Sequence, residues 1–331
     1  MERFALAAAV VLGFALTAAL CSLFVPLRRV LERREQNQQP VQPEQPRPVP
    51  LRAPLWGGLC AAAGTVAAVG VGWLAACVGQ PELLGSEGRL MTRLLTALAG
   101  SLAFGAVGLA EDVARMRSPA ALGLRRDVRL LLEALAAAFV LLLLQAAGCL
   151  PRGLDVPGAG YVLLGSAVPF LWAVLMVALA ECARIAERDE GTVCGAAFVA
   201  MLALMMAEAG LGVPGLAVLP GALAGALVAL GLWAFPPARL GVGCCGSLLA
   251  AGAIGCIPLS LDMTSLTVPL ALPFWAAGGL LAAQLLGAKR TGKPLRCWVK
   301  KHKMSPETVF LCSFALSAVG YVLALALLRW C

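Results

Sequence analysis

Histidine is nearly missing from this chain of 331 residues: His302 is the sole imidazole, so no site built on a cluster of histidines exists here. Charge is scarce as well. Only 13% of residues are Asp, Glu, Lys or Arg, against roughly 25% in an ordinary soluble domain, and acids number just 18. The twelve cysteines are scattered along apolar stretches as small fillers, without the spacing of a disulfide framework or a zinc site. No internal repeat is visible, which leaves the inverted-repeat pattern of many secondary transporters without support. No segment between apolar stretches is long enough to fold alone, so a soluble catalytic or nucleic-acid-binding module is excluded.

What fills the chain is hydrophobic residue, 60% of the total, with a mean hydropathy of +0.87. Segments 4–26 and 307–328 carry about 20 residues almost free of charge, enough at ~1.5 Å per residue to cross a hydrocarbon slab of roughly 30 Å. The pattern predicts an all-α polytopic membrane helix bundle of about ten transmembrane helices. They fall near 4–26, 54–79, 93–110, 128–148, 161–182, 192–210, 214–234, 241–261, 266–288 and 307–328. The third and sixth are short. The first is expected to remain an uncleaved helix, because Leu20 before Cys21 does not fit a lipoprotein cleavage site.

Positive charge sets the orientation. Of 26 Lys and Arg residues, 21 lie in 27–53, 111–129, 183–190, at Arg239 and in 289–303; Arg3, Arg89, Arg93, Arg152 and Arg329 are the other five. Basic loops stay cytoplasmic, so both termini are expected outside. The net charge of +8 is therefore a topology signal and an attraction to anionic headgroups. The Pro/Gln-rich stretch 36–50 reads as a flexible cytoplasmic linker within a single transmembrane domain, 1–331.

Scarce acids make their positions informative. Glu111 and Asp112 close the third span in FGAVGLAEDVARMR, and Glu187, Asp189 and Glu190 sit in ARIAERDEG at the end of the fifth. Either cluster alone can be a solvated helix end. Two on one face, each beside arginines, point to a site for a metal or a phosphate.

FGAVGLAEDV, APLWGG (53–58), ARIAERDEGTVCG (183–195), PARLGVGCCGS (237–247) and KRTGKPLRCWVKKHK (289–303) occur in order on that face. Together they resemble the motifs of the polyprenyl-phosphate sugar-1-phosphate transferases, the family of the phospho-N-acetylmuramoyl-pentapeptide transferases. The resemblance implies ten spans, a magnesium site on the cytoplasmic face of a bacterial inner membrane, and transfer of a sugar phosphate from a UDP-sugar to undecaprenyl phosphate. It also implies a place in cell-envelope synthesis, with other envelope proteins or a second copy as partners and no nucleic acid.

Residue by residue, the resemblance assigns catalytic positions to Glu111, Asp112, Glu187, Glu190 and His302, with Glu187 and Glu190 as metal positions. The family's Asp-Asp pair is Glu-Asp here. The Asn of its fifth-span loop falls on Arg184 and the two aspartates of that loop fall on Glu187 and Glu190. The metal-binding aspartate of its Met-Gly-Asp motif falls on Cys244, and a thiol is a poor ligand for a hard ion such as magnesium. His302 overlies the first of three family histidines when counted from Thr291-Gly292-Lys293. Counted from the last span, the triplet falls on Arg296, Cys297 and Trp298.

Three functions follow: a catalytically weakened or silent relative, an active magnesium-dependent transferase using the four acids, or a membrane transporter. Missing repeats and a lack of charge inside the spans disfavour the last. Arg184 is expected to pair with at least one of Glu111, Asp112, Glu187 and Glu190.

Overall fold

The computed structural model describes residues 2–38, 56–79, 88–117, 123–151, 153–156, 160–163, 165, 167–187, 191–211, 215–235, 238–286 and 305–328. Among these, the long elements are helices: α1 Glu2–Gln38, α2 Gly57–Gly79, α3 Gly88–Arg117, α4 Arg126–Ala146, α5 Ala167–Ala186, α6 Thr192–Gly210, α7 Val218–Ala234 and α8 Gly243–Ser260. A 3₁₀ turn, Thr264–Leu266, leads to α9 Thr267–Leu270, α10 Leu272–Leu286 and α11 Pro306–Leu328. Seven of the described helices (α1, α2, α3, α5, α6, α8 and α11) contain apolar runs long enough to cross a membrane, and α7 is apolar but shorter.

Four sequence expectations change. The third span is not short, because α3 runs 30 residues, through Glu111 and Asp112 to Arg117. Hydropathy marks where lipid ends, whereas a helix continues through charged residues that pair at four-residue spacing, as Glu111 and Arg115 do. The start of the fifth span is not helical: Gly160–Leu163 is β2, paired antiparallel to β1 Gly153–Val156 with Val156 opposite Gly160. The ninth is broken at Ala271, between Pro269 and Pro273, where proline denies the ladder its N–H groups. Residues 36–38 of the expected linker are the end of α1, which continues to Gln38; residues 39–50 lie outside the described residues.

The bundle is built around α8. All 18 of its residues are buried, and it packs against α2, α3, α5 and α6. Its sequence, GCCGSLLAAGAIGCIPLS, is rich in small residues, which let helix backbones approach where lipid offers no hydrophobic drive. On α3, a Cβ added at Gly108 would fall inside the Cys244 carbonyl, and one at Gly58 of α2 would strike the Gly246 backbone. On the far side of α2, α1 runs antiparallel in rungs: Ala9 against Gly72, Thr17 against Gly64, Cys21 against Cys60, and Phe24 stacked on Trp56 with centroids 6.0 Å apart.

These contacts gather several chain ends at one end of the bundle. The Gly57 N–H donates to the Gly241 carbonyl at 3.2 Å. Gly191 lies against Ala234, and Phe235 meets Phe310 edge-on at 5.4 Å. The described parts of four of the motifs, at 56–58, Glu111 and Asp112, Glu187 and Gly191, and 241–247, thus meet at one end, while 289–303 lie outside the described residues.

Candidate functional site

At that end, α3, α4, α5 and the start of α8 bring acids and arginines into a buried cluster. Glu111 and Asp112 are 3% and 1% exposed and Glu133 of α4 is fully buried. Charges at such depth persist only when paired or hydrogen-bonded; Glu111 and Asp112 are hydrogen-bonded, whereas Glu133 has an arginine at 3.9 Å and no hydrogen bond to either oxygen.

Asp112 is held by the N-terminus of α8. Its Oδ1 accepts the Cys244 N–H at 3.0 Å and its Oδ2 accepts the Cys245 N–H at 2.8 Å. The first N–H groups of a helix lack intrahelical acceptors and sit at the positive end of its dipole, so a carboxylate there is both a cap and a counter-charge. Gly243 makes the approach possible by taking φ +71°, a left-handed conformation that a side chain would strain. Asp112 and α8 are therefore locked across 132 residues of sequence.

The other acids meet guanidinium groups. Arg115 donates from Nη2 to Glu111 Oε1 at 3.0 Å, and its Nη1 lies 3.6 Å from Glu187 Oε2. Arg129 of α4 places Nη1 3.7 Å from the same Glu111 oxygen and donates from Nε to Glu181 Oε1 at 2.8 Å. Its Nε also lies 3.9 Å from Glu133 Oε1. Glu181 spends its second oxygen on Arg184 Nη2, one turn along α5. Cys244 Sγ faces Glu187 Oε2 at 3.9 Å.

The expected convergence of Glu111, Asp112 and Glu187 is therefore present, while Glu190 and His302 lie outside the described residues. The expected pairing of Arg184 is corrected: among the described residues its ion pair is with Glu181 of its own helix, three residues away, and not with Glu111, Asp112 or Glu187. Arg129, Glu133 and Glu181 were missed. For Glu133 and Glu181 the signal was available, since each is a charge inside an otherwise apolar run, where ionisable groups are functional candidates by default; Arg129 follows Arg125, Arg126 and Asp127 and carries no such signal. The expectation that the spans lack charge is corrected by Glu133, Glu181 and Glu208, the last buried near the far end of α6.

A resident magnesium ion needs oxygen ligands free to face it. Both Asp112 oxygens accept backbone N–H groups, Glu111 Oε1 is shared by two arginines, and Glu187 Oε2 lies between Arg115 and the Cys244 thiol; Glu111 Oε2 and the two oxygens of Glu133 are without a hydrogen bond, too few protein oxygens for an octahedral shell. Among the described residues no three His, Cys, Asp or Glu side chains are grouped to hold a metal. The described residues do not fit magnesium.

The family match falls on the same segment. The family model described as glycosyl transferase family 4 matches residues 94–262, just over half of the chain, from α3 to the residues after α8. A phospho-N-acetylmuramoyl-pentapeptide-transferase of Desulforudis audaxviator (strain MP104C) is 32% identical over 170 residues, 48% of this chain and 50% of that protein. The chain thus spans about half the length of the curated relative it matches. With the matched residues holding α3, α5 and α8 around the acid–arginine cluster, the chain belongs to glycosyl transferase family 4.

Proposed function

We propose that this protein is a multi-pass membrane member of the sugar-1-phosphate transferase group, working on lipid-linked intermediates of the cell envelope, with its transfer chemistry strongly weakened. The matched family and the pentapeptide-transferase relative support the class of substrate: a UDP-sugar as donor and polyprenyl phosphate as acceptor. The proposal includes a single domain of about ten spans in a bacterial inner membrane, with both termini outside. The clustering of the motif-bearing chain ends at one end of the bundle supports that topology.

One observation carries the weakening. The position where the family places a metal-binding aspartate holds the Cys244 thiol, and the neighbouring Asp112 spends both oxygens on the backbone of Cys244 and Cys245. The residual set proposed for substrate contact is Glu111, Asp112, Glu187, Glu190 and His302. Losing metal stabilisation of a phosphoryl-type transition state removes several kcal/mol, on the order of a thousandfold in rate.

The test is transfer of labelled sugar phosphate from a UDP-sugar to polyprenyl phosphate by the purified protein, beside the Desulforudis relative under the same conditions. Turnover at least two orders of magnitude lower is expected, taking ~1.36 kcal/mol per factor of ten. Turnover equal to the relative's and abolished by chelator would establish the active magnesium-dependent transferase instead. Transfer in neither orientation of added substrate, together with uptake of a solute into vesicles, would establish a transporter.

A further inference from the structure

We infer that Arg115 and Arg129 take the place of a divalent cation in this cleft, so that the folded protein has no magnesium requirement and binds no divalent ion there. The inference rests on the reading of the cleft as the family's transfer site, and it concerns which cation balances the acids rather than whether transfer occurs.

A divalent ion between carboxylates does two jobs: it neutralises charge that burial makes expensive, and it bridges oxygens from different helices. Arg115 does both. One guanidinium reaches Glu111 Oε1 at 3.0 Å through Nη2 and Glu187 Oε2 at 3.6 Å through Nη1. It thereby ties α3 to the chain just beyond α5. Arg129 repeats the pattern one layer deeper, joining Glu111 at 3.7 Å, Glu181 at 2.8 Å and Glu133 at 3.9 Å, and so linking α3, α4 and α5.

A guanidinium is planar, permanently charged and offers five donors, which suits it to bridging several carboxylates from a fixed position. Each arginine is attached to a helix, so its charge cannot dissociate as an ion does. A divalent ion entering the cleft would find Glu111 Oε1 and Glu187 Oε2 already held by guanidinium groups and a thiol at Cys244; of Glu111 only Oε2 is unpartnered. Arg115 and Arg129 would repel it at close range around Glu111 Oε1, which they approach at 3.0 and 3.7 Å.

Two measurements on the full-length protein in detergent test this. Manganese, an electron-paramagnetic stand-in for magnesium, is titrated and its free aqua-ion signal followed; thermal unfolding is recorded with millimolar magnesium and with chelator. For the unmodified protein the expected result is an undiminished manganese signal and identical melting curves. In Arg115→Gln/Arg129→Gln the acids lose their built-in cations, and manganese uptake together with a rise in melting temperature on adding magnesium is expected, since a ligand of the native state stabilises it.

Should the double variant fail to fold, the unmodified protein still decides. Uptake of about one equivalent of manganese per chain, one site in the linkage sense, competed by magnesium and lost in Glu187→Gln, would overturn the inference. The two proposals fail separately. Vigorous transfer without manganese uptake refutes only the weakening. Manganese uptake without transfer refutes only the substitution of arginine for metal.

Discussion

Replacing Asp112 separates a structural role from a purely catalytic one. In Asp112→Ala the N–H groups of Cys244 and Cys245 lose the acceptors now at 3.0 and 2.8 Å and stay buried, because both cysteines are at most 2% exposed. A buried donor without a partner costs about 1–3 kcal/mol, so two cost about 4 kcal/mol at the middle of that range. Removing a buried carboxylate recovers part of this by ending its own desolvation penalty. A net loss of roughly 3 kcal/mol is expected, in line with two hydrogen bonds to a charged group at about 1.5 kcal/mol each. Asp112→Asn keeps one acceptor but turns an NH₂ group toward a second N–H, and should lose about 2 kcal/mol, again from one unmet donor. Reversible unfolding in mixed micelles, titrated with a denaturing detergent, measures both. A carboxylate kept only to contact substrate would be strained by its neighbours, and its removal would leave stability unchanged or raise it. An alanine variant within about 0.5 kcal/mol of the parent, or above it, would refute the capping role.

Glu181→Gln removes the carboxylate shared by Arg129 and Arg184, which is 23% exposed, and should cost about 1.5–3 kcal/mol as for a lost hydrogen bond to a charged group; Glu187→Gln should cost less, because Arg115 keeps Glu111. The same micelle titration checks the order of the two. Gly108→Ala puts a methyl group into the Cys244 carbonyl and should lose about 1–3 kcal/mol through overpacking, whereas Gly70→Ala, with no atom within 4 Å of the added carbon, should be neutral or slightly stabilising. Mild oxidation with a membrane-permeant copper complex should join Cys21 to Cys60, seen as α1 and α2 fragments held together on non-reducing gels after cleavage between them. Their separation in folded protein would show that the α1–α2 register is wrong.

The sequence reading succeeds where one local property decides the structure. The expected span at 192–210 coincides with α6, Thr192–Gly210, since Gly191 takes a left-handed φ of +75° at one end and Gly210 closes the other. It fails where lipid boundary and helix boundary differ, as at α3, and where Gly153 and Gly160 turn an apolar stretch into a hairpin. Glu111 and Asp112 stand out because acids are rare. Their roles do not, because each depends on a distant partner: the Cys244 backbone for Asp112, and Arg129 for both Glu111 and Glu181, the latter 52 residues away. Motif matching assigns Arg184 by position; only packing reveals that Glu181, one turn away, holds it.

Because α8 is buried along its whole length and the long helices packed on it, α2, α3, α5 and α6, all precede it in the chain, it is made after the helices that surround it. A ribosome delivers α3 with Asp112 long before the N–H groups of Cys244 and Cys245 exist to receive that carboxylate. During that interval the acid stands at the membrane surface with no helix end to hold it. The arrival of α8 therefore closes the core and seats Asp112 in a single event. A substitution that keeps α8 apolar but widens it, at Gly246 or Gly252, would pass membrane insertion and fail at this docking, leaving a chain with every span in place and an open centre for membrane proteases to recognise.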